Sequence, residues 1–166
     1  MWNWKIQEDY LEEVADLLAH PEVRGMEELP QHASGVSCLH HSLLVSYFSF
    51  RLCRRLGLDA RAAARGGLLH DFYLYNWQDK ATHPDVSHAF DHPLVALENA
   101  RARFPLTPKE EDIIATHMFP LALSRPYRCG ESLVVSTMDK VCALAELLHL
   151  FPAPSAAPAL AAPSRM

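Results

Sequence analysis

The sequence lacks the excess of basic residues that a protein coating nucleic acid needs. Its 166 residues carry 15 Lys and Arg against 20 Asp and Glu, giving a formal net charge of -5 and a pI near 6.0. Because affinity for a phosphate backbone depends on clustered cations, an extended nucleic acid is not an expected partner. No window approaches the roughly 20 unbroken apolar residues that span a bilayer. We therefore expect no membrane insertion.

Closely spaced cysteine pairs are also missing. None of the four cysteines stands in a CxxC pair, and a chain of this length needs no disulfide to hold its core. The first residues contain no basic region followed by an apolar stretch, and acidic residues soon interrupt them, unlike a signal peptide. We expect free thiols and a cytoplasmic protein.

Strand-like alternation is scarce, whereas apolar residues recur at helical spacing almost throughout. The composition, 49% hydrophobic and 21% charged, is that of an ordinary globular domain. These patterns predict an all-α fold, a compact single-domain helical bundle over residues 1–150. Residues 151–166 are rich in Ala and Pro without periodicity, and we expect a disordered tail there.

Capping residues and helix breakers set the predicted helix bounds. Gly57 suits the left-handed position that ends a helix, Asp59 can cap the next one, and residues 107–110 form a capping box with Pro at the first helical position. Gly66 and Gly67 would weaken a helix unless another helix passes close to that face. The predicted helices cover residues 9–19, 38–56, 60–71, 92–103, 108–117 and 132–150.

The dipeptide His70-Asp71 ends a small and apolar run where a buried face would normally continue. Four further residues with metal-ligating side chains lie in separate apolar-periodic segments: His41, His92, His117 and Asp139. An inward carboxylate such as Asp139 is costly unless it is paired or coordinated. A lone inward histidine is usually a hydrogen-bonded core residue, but an ordinary core does not collect four imidazoles and two carboxylates. The six residues predict a metal site.

Other residues of these types receive a plainer interpretation. His40 adjoins His41, but adjacent helical positions point about 100° apart, so only one can join the site, and His41 has the better apolar stripe. The acidic run at residues 110–112 is typical of a helix N-terminus. Core positions are predicted for three aromatic residues: Tyr73, Tyr75 and Trp77. Surface, loop or cap positions are predicted for the remaining histidines: His20, His32, His83, His88 and His149.

Three stretches together resemble the signature of the HD-domain superfamily of metal-dependent phosphohydrolases. They are His41-Ser42 with Val45, the run Gly67 to Asp71, and Asp139. The resemblance covers about residues 37–146. It implies an all-α fold of the HD-domain type and a metal-dependent hydrolysis of a phosphoester or phosphoanhydride.

His92 and His117 extend the resemblance to the branch of the superfamily that carries two metals. In that branch the first metal is held by residues matching His41, His70, Asp71 and Asp139. Asp71 also bridges to a second metal held by His92 and His117. Two divalent cations about 3.5 to 4 Å apart can activate a water and clamp a phosphoryl oxygen. The resemblance thus implies two divalent ions and catalytic roles for His70 and Asp71, without distinguishing Fe, Mn, Zn, Ni or Mg.

The best-known binuclear subgroup, the HD-GYP phosphodiesterases, is a poorer match. Phe72-Tyr73 stands where that group has an Ile-Gly-Lys run, His117 is single where it has a His pair, and Gly-Tyr-Pro is missing. Cyclic di-GMP is therefore not the expected substrate. The six ligands are also shared by HD-type mixed-valent di-iron oxygenases, and an intact site can serve a ligand-binding regulatory module. Both alternatives stay open.

The expected partner is a small phosphorylated substrate, for which a nucleotide is the first class to test. Arg125 and Arg128, in the loop after His117, and Lys140, next to Asp139, are the candidates to neutralise its charge. The polar stretch 80–91 and the loop 120–131 are expected to decide specificity. The oligomeric state is left open by the sequence.

Overall fold

The computed structural model describes residues 7–32 and 35–150 of the chain, and within these ranges the regular structure is helical. A single isolated bridge pairs Pro30 with Ser37. The all-α prediction is confirmed. Seven α-helices are described: α1 Glu8–Ala19, α2 Pro21–Gly25, α3 Cys38–Leu56, α4 Ala60–Leu69, α5 His88–Arg101, α6 Pro108–Thr116 and α7 Gly130–Leu147.

Helix α4 lies at the centre of the bundle, packed against α3 and also against α1, α6 and α7. Its two glycines allow this close packing. A Cβ on Gly66 would lie 2.8 Å from Cγ2 of Ile113 in α6, and one on Gly67 would lie 3.0 Å from Cα of Ser46 in α3. The prediction that a helix passes close to these glycines is confirmed, and two apolar clusters fill the space around α4.

The predicted caps are found where expected. Gly57 ends α3 with φ of 70°, the side chain of Asp59 accepts from the backbone N–H of Ala62, and Thr107 and Glu110 form the capping box of α6. The short helix α2 was not predicted. It begins at Pro21, after His20, whose ring accepts from the N–H of Glu22.

The predicted start of α5 at His92 is wrong by one turn. The helix begins at His88, and Pro93 lies inside it. The carboxylate of Asp91 accepts from the N–H of Ser87 at 2.9 Å and stabilises this earlier start. Helix α7 likewise begins at Gly130 and ends at Leu147, and α4 ends at Leu69 rather than Asp71.

Along residues 7–32 and 35–150, no helix combines the length and apolarity needed to cross a membrane. The predicted tail at residues 151–166 lies outside the described residues, so the domain boundary near residue 150 stays a prediction.

Candidate metal centre

The six predicted ligands converge from five helices onto one buried centre. His41 lies in the first turns of α3, His92 in α5 and Asp139 in α7, while His70 and His117 are the C-caps of α4 and α6. Asp71 follows His70 directly. All six are buried, with His41 and His70 fully so.

Three of the histidines have the same hydrogen-bonding pattern. Nδ1 donates to a backbone carbonyl three or four residues earlier: from His70 to Gly67 at 2.7 Å, from His92 to His88 at 2.5 Å, and from His117 to Ile114 at 2.8 Å. A carbonyl oxygen can only accept, so each Nδ1 carries a hydrogen, and Nε2 is the nitrogen that can offer a lone pair to a metal. Such a bond fixes the tautomer and orientation of a metal-ligating histidine.

The Nε2 atoms of these three rings point at one another or at oxygen acceptors, an arrangement that requires a proton or a cation between them. Nε2 of His92 lies 2.9 Å from Nε2 of His117. Nε2 of His70 is buried and is one of the few buried side-chain polar atoms of residues 7–32 and 35–150 without a hydrogen-bond partner. An unpartnered buried nitrogen is costly, and a metal ion would satisfy it.

His41 is held in the corresponding orientation by a carboxylate. Its Nδ1 lies 3.0 Å from Oε2 of Glu146, which is buried, and its Nε2 lies 3.1 Å from Oδ1 of Asp139. Burial acts to lower the pKa of His41, but the hydrogen bonds to Asp139 and Glu146 outweigh it and raise the pKa to about 9. A divalent cation would replace the proton on Nε2.

Asp71 lies between two groups of ligands. Its Oδ2 is 3.4 Å from Nε2 of His70, whereas its Oδ1 is 3.4 Å from Nε2 of His92 and 3.6 Å from Nε2 of His117. Burial acts to raise the pKa of Asp71, but the charge of His70 lowers it well below its usual range. The carboxylate is therefore ionised and available to two cations.

The ligating atoms form two compact sets. One atom each from His41, His70 and Asp139 lie within 4.8 Å of one another, and we call this set the first position. The second position consists of Asp71, His92 and His117, whose ligating atoms also lie within 4.8 Å of one another. Burial and the neighbouring His70 and His92 lower the pKa of His117 to about 3. The neutral imidazole is the form that binds a metal.

His32 also lies at this centre, at the surface and in a loop as predicted. Its ligating atom falls within 4.8 Å of those of His41 and Asp71. His32 is exposed, and its ring centroid lies 5.4 Å from that of His41. No periodicity marks His32, because it belongs to a loop whose path the sequence pattern does not predict.

Two more histidines make ring contacts that the predicted surface, loop or cap positions did not include. The ring of His88 stacks on His92, with centroids 4.7 Å apart, and on Trp77. His83 is buried and stacks on Tyr75 at 4.5 Å. The predicted core positions of Tyr73 and Tyr75 are confirmed, and Trp77 packs partly buried against the same core. Tyr73 and His88 contact the ring of His92.

The predicted cationic residues are not all brought to the centre. Nζ of Lys140 lies 3.6 Å from Oδ2 of Asp139 and donates to the carbonyl of His117 at 2.8 Å. Arg125 and Arg128 instead line a groove of about 630 Å³ along α5 and α6, and the six predicted ligands do not border it. Arg125 donates to the carbonyl of Phe90. A substrate-binding role for the two arginines stays a prediction.

The acidic run at the start of α6 does more than cap the helix. Glu110 is buried, and its Oε1 lies 3.0 Å from Nε of Arg65 in α4. Asp112 accepts from the backbone N–H of Arg128 and from Oγ of Ser132. These contacts join α6 to neighbouring segments and do not involve the six predicted ligands.

Comparison with family models matches residues 38–144 to the HD domain. The match spans more than half of the chain and includes His41, His70, Asp71, His92, His117 and Asp139. The chain belongs to the HD-domain family, part of a superfamily of metal-dependent phosphohydrolases whose domains bind divalent metals. Searches of the curated proteins and of the solved structures returned no significant match.

Proposed function

We propose that this protein is a binuclear metal-dependent hydrolase that cleaves a phosphoester or phosphoanhydride bond in a small phosphorylated molecule. The observation that carries the proposal is the position of Asp71. Its two carboxylate oxygens face different sets of imidazoles, each within 3.4 to 3.6 Å. A carboxylate in this position can bridge two cations.

The donor set fits divalent transition metals. Four imidazoles and two carboxylates suit Mn, Fe, Zn or Ni better than Ca, which prefers oxygen ligands. Two such ions would supply an activated water and charge stabilisation at a transferring phosphoryl group. Glu146 and the carbonyls of Gly67, His88 and Ile114 orient the ligands, so the protein presents a prearranged site.

We place the approach of the substrate on the side of the loop that contains Gln31, although the six predicted ligands do not border the cavity there. Gln31 donates to Oδ2 of Asp71 at 2.6 Å, and a cavity of about 560 Å³ is lined by Gln31, His32 and Gln78 together with Glu27 and Glu28. A substrate entering here would meet amide and carboxylate groups. Lys140, with 37% of its side chain exposed beside Asp139, is our candidate for the cation that meets the phosphoryl group, and Nζ would exchange one of its hydrogen bonds to His117 and Ser136 for it.

Metal analysis and a phosphate-release screen on anaerobically purified protein test the proposal. We expect about two metal ions per chain and release of phosphate from a nucleotide or another small phosphoester, with no need for oxygen. Asp71→Asn is the control for contaminating phosphatases, and its preparation must show no release. Turnover only with oxygen would establish the oxygenase alternative, and metal binding without turnover on any substrate would favour a regulatory module.

A further inference from the structure

The loop that carries His32 is anchored at both of its ends. Nε1 of Trp77 donates to the carbonyl of Pro30 at 2.9 Å. The N–H of Gln31 donates to the carbonyl of Val36 at 3.0 Å, and the N–H of Cys38 donates to the carbonyl of Leu29 at 2.8 Å. These bonds tie residues 29–31 to residues 36–38, which keeps His32 close to the first turn of α3.

The neighbouring residue directs this loop toward the metal centre. The hydroxyl of Tyr73 donates to Oε1 of Gln31 at 3.1 Å, and Nε2 of Gln31 donates to Asp71. Both polar ends of Gln31 are therefore used, and the side chain is buried. Its Nε2 also lies 3.4 Å from Nε2 of His32. The ring of His32 follows immediately and meets His41 edge-on, with an angle of 86° between the rings.

The His32 group and the first position share a single nitrogen of His41. Nδ1 of His41 is bound to Glu146, so Nε2 is the only nitrogen left for a metal. Nε2 is also the atom beside Asp139. Two cations cannot use the same lone pair. A metal that contacts His32 is therefore the metal of the first position.

We propose that His32 is a further protein ligand of the first metal. The proposal rests on the metal centre of the proposed function and not on the reaction catalysed there. It gives the first position the ligands His32, His41, His70, Asp71 and Asp139, while the second position keeps three. The second position would then have fewer protein ligands than the first.

Cobalt(II) is the probe, added to protein freed of metal with a chelator, because its visible absorption reports coordination number and ligand type. His32→Ala should change the absorption of one of the two cobalt ions and weaken the binding of that ion about tenfold or more. Removing a group that only supports a ligand already costs about 10- to 100-fold in metal affinity. Free imidazole should restore both, since His32 is exposed and its place is open to solvent. His40→Ala, next to His41 and in none of the ligand sets of the described residues, is the matched control and should behave as wild type.

Two results would overturn the proposal. One is an unchanged cobalt spectrum and affinity in His32→Ala. The other is a loss of cobalt that imidazole does not reverse, or that His40→Ala reproduces, since either assigns His32 a structural role in the loop. His32→Gln, which keeps a polar side chain but not the imidazole, must share the defect of His32→Ala. Phosphate release is measured on the same samples, so wild-type protein with a His32-dependent cobalt site and no turnover would contradict the proposed function alone.

Discussion

Nε2 of His92 faces Nε2 of His117 at 2.9 Å, and the hydrogen of each ring is held on Nδ1 by a backbone carbonyl. Two lone pairs at this distance repel unless a positive charge lies between or beside them. The protein maintains this contact in a buried place, with α5 and α6 each contributing one ring. The helix packing therefore holds the two rings where a proton or a cation must lie between or beside them.

Replacing His92 or His117 with Ala should lower the metal content from about two ions per chain to about one. The first position does not use these rings and stays filled. Phosphate release should fall steeply because one cation cannot clamp both the attacking and the leaving oxygen. Elemental analysis and thermal unfolding on the same samples check this. His83→Ala, which removes a buried stacked ring outside the ligand sets, should lose stability but no metal. Two ions retained in either ligand variant would refute the assignment of that residue.

Asp71→Ala should empty both positions. Its carboxylate faces both sets of imidazoles, and without this negative charge the repulsion between two neighbouring cations would not be compensated. Asp139→Ala should mainly empty the first position. Metal per chain, measured by elemental analysis after gel filtration, distinguishes the two variants. Full metal content in Asp71→Ala would show that this carboxylate does not bridge.

Glu146→Gln should weaken metal binding at the first position by about 10- to 100-fold, the usual effect of removing a group that supports a ligand. Glu146 accepts from Nδ1 of His41 and touches no other member of the ligand sets by hydrogen bond. The neutral amide loses the charge that makes the imidazole a stronger donor. Competition with a chromogenic chelator measures the affinity. Glu111→Gln, at an exposed ion pair with Arg101, is the control and should not alter it.

Gly67→Ala should destabilise the fold by about 1 to 3 kcal/mol, the range for overpacking a well-packed core. The new Cβ would lie 3.0 Å from Cα of Ser46, a backbone atom that cannot turn aside. Denaturant unfolding measures the loss. Gly25→Ala, where a Cβ meets nothing within 4 Å, should be tolerated. Equal stability of the two variants would mean that α3 and α4 separate at little cost.

Glu131 should make the fold sensitive to acid. Burial acts to raise the pKa of Glu131, but hydrogen bonds from Lys109 and the backbone N–H of Asp59 outweigh it and lower the pKa to about 2. A lowered pKa contributes stability above the ordinary value of 4.5, and this contribution is lost as the pH falls toward 2. Glu131→Gln should therefore be less stable than wild type at pH 7, with the difference shrinking by pH 3. A constant difference in urea unfolding across this range would contradict the assignment.

The helices could be read from the sequence because their ends carry strong local signals. Gly57, Asp59 and the capping box at Thr107 act within one turn of chain, so residue type alone decides them. The start of α5 was predicted wrongly because Pro93 was expected in the first turn of the helix. The helix instead begins one turn earlier, where Asp91 accepts from the N–H of Ser87, and Pro93 is accommodated inside it. Local rules cannot weigh these two signals against each other.

At the candidate metal centre, too, the residues on helices could be predicted and those in loops could not. Its six ligands lie on or next to helices, where periodicity shows which side chains face inward. His32 and Gln31 reach the centre through a loop, whose path depends on tertiary contacts such as the bond from Trp77 to Pro30. Arg125 and Arg128 failed to reach the centre for the same reason. Proximity along the chain to His117 does not determine where the loop after it leads.

The separation of the predicted ligands along the chain would link metal supply to the lifetime of the protein. His41 and Asp139 are 98 residues apart, so an ion held between them joins distant parts of the polypeptide much as a cross-link would. A ligand that binds only the folded state adds about 2.7 kcal/mol of stability at a concentration 100 times its dissociation constant. A shortage of the metal would then lower the stability of the fold as well as the activity. It would raise the unfolded fraction that proteases remove, and the amount of this protein in the cell would itself follow the metal concentration.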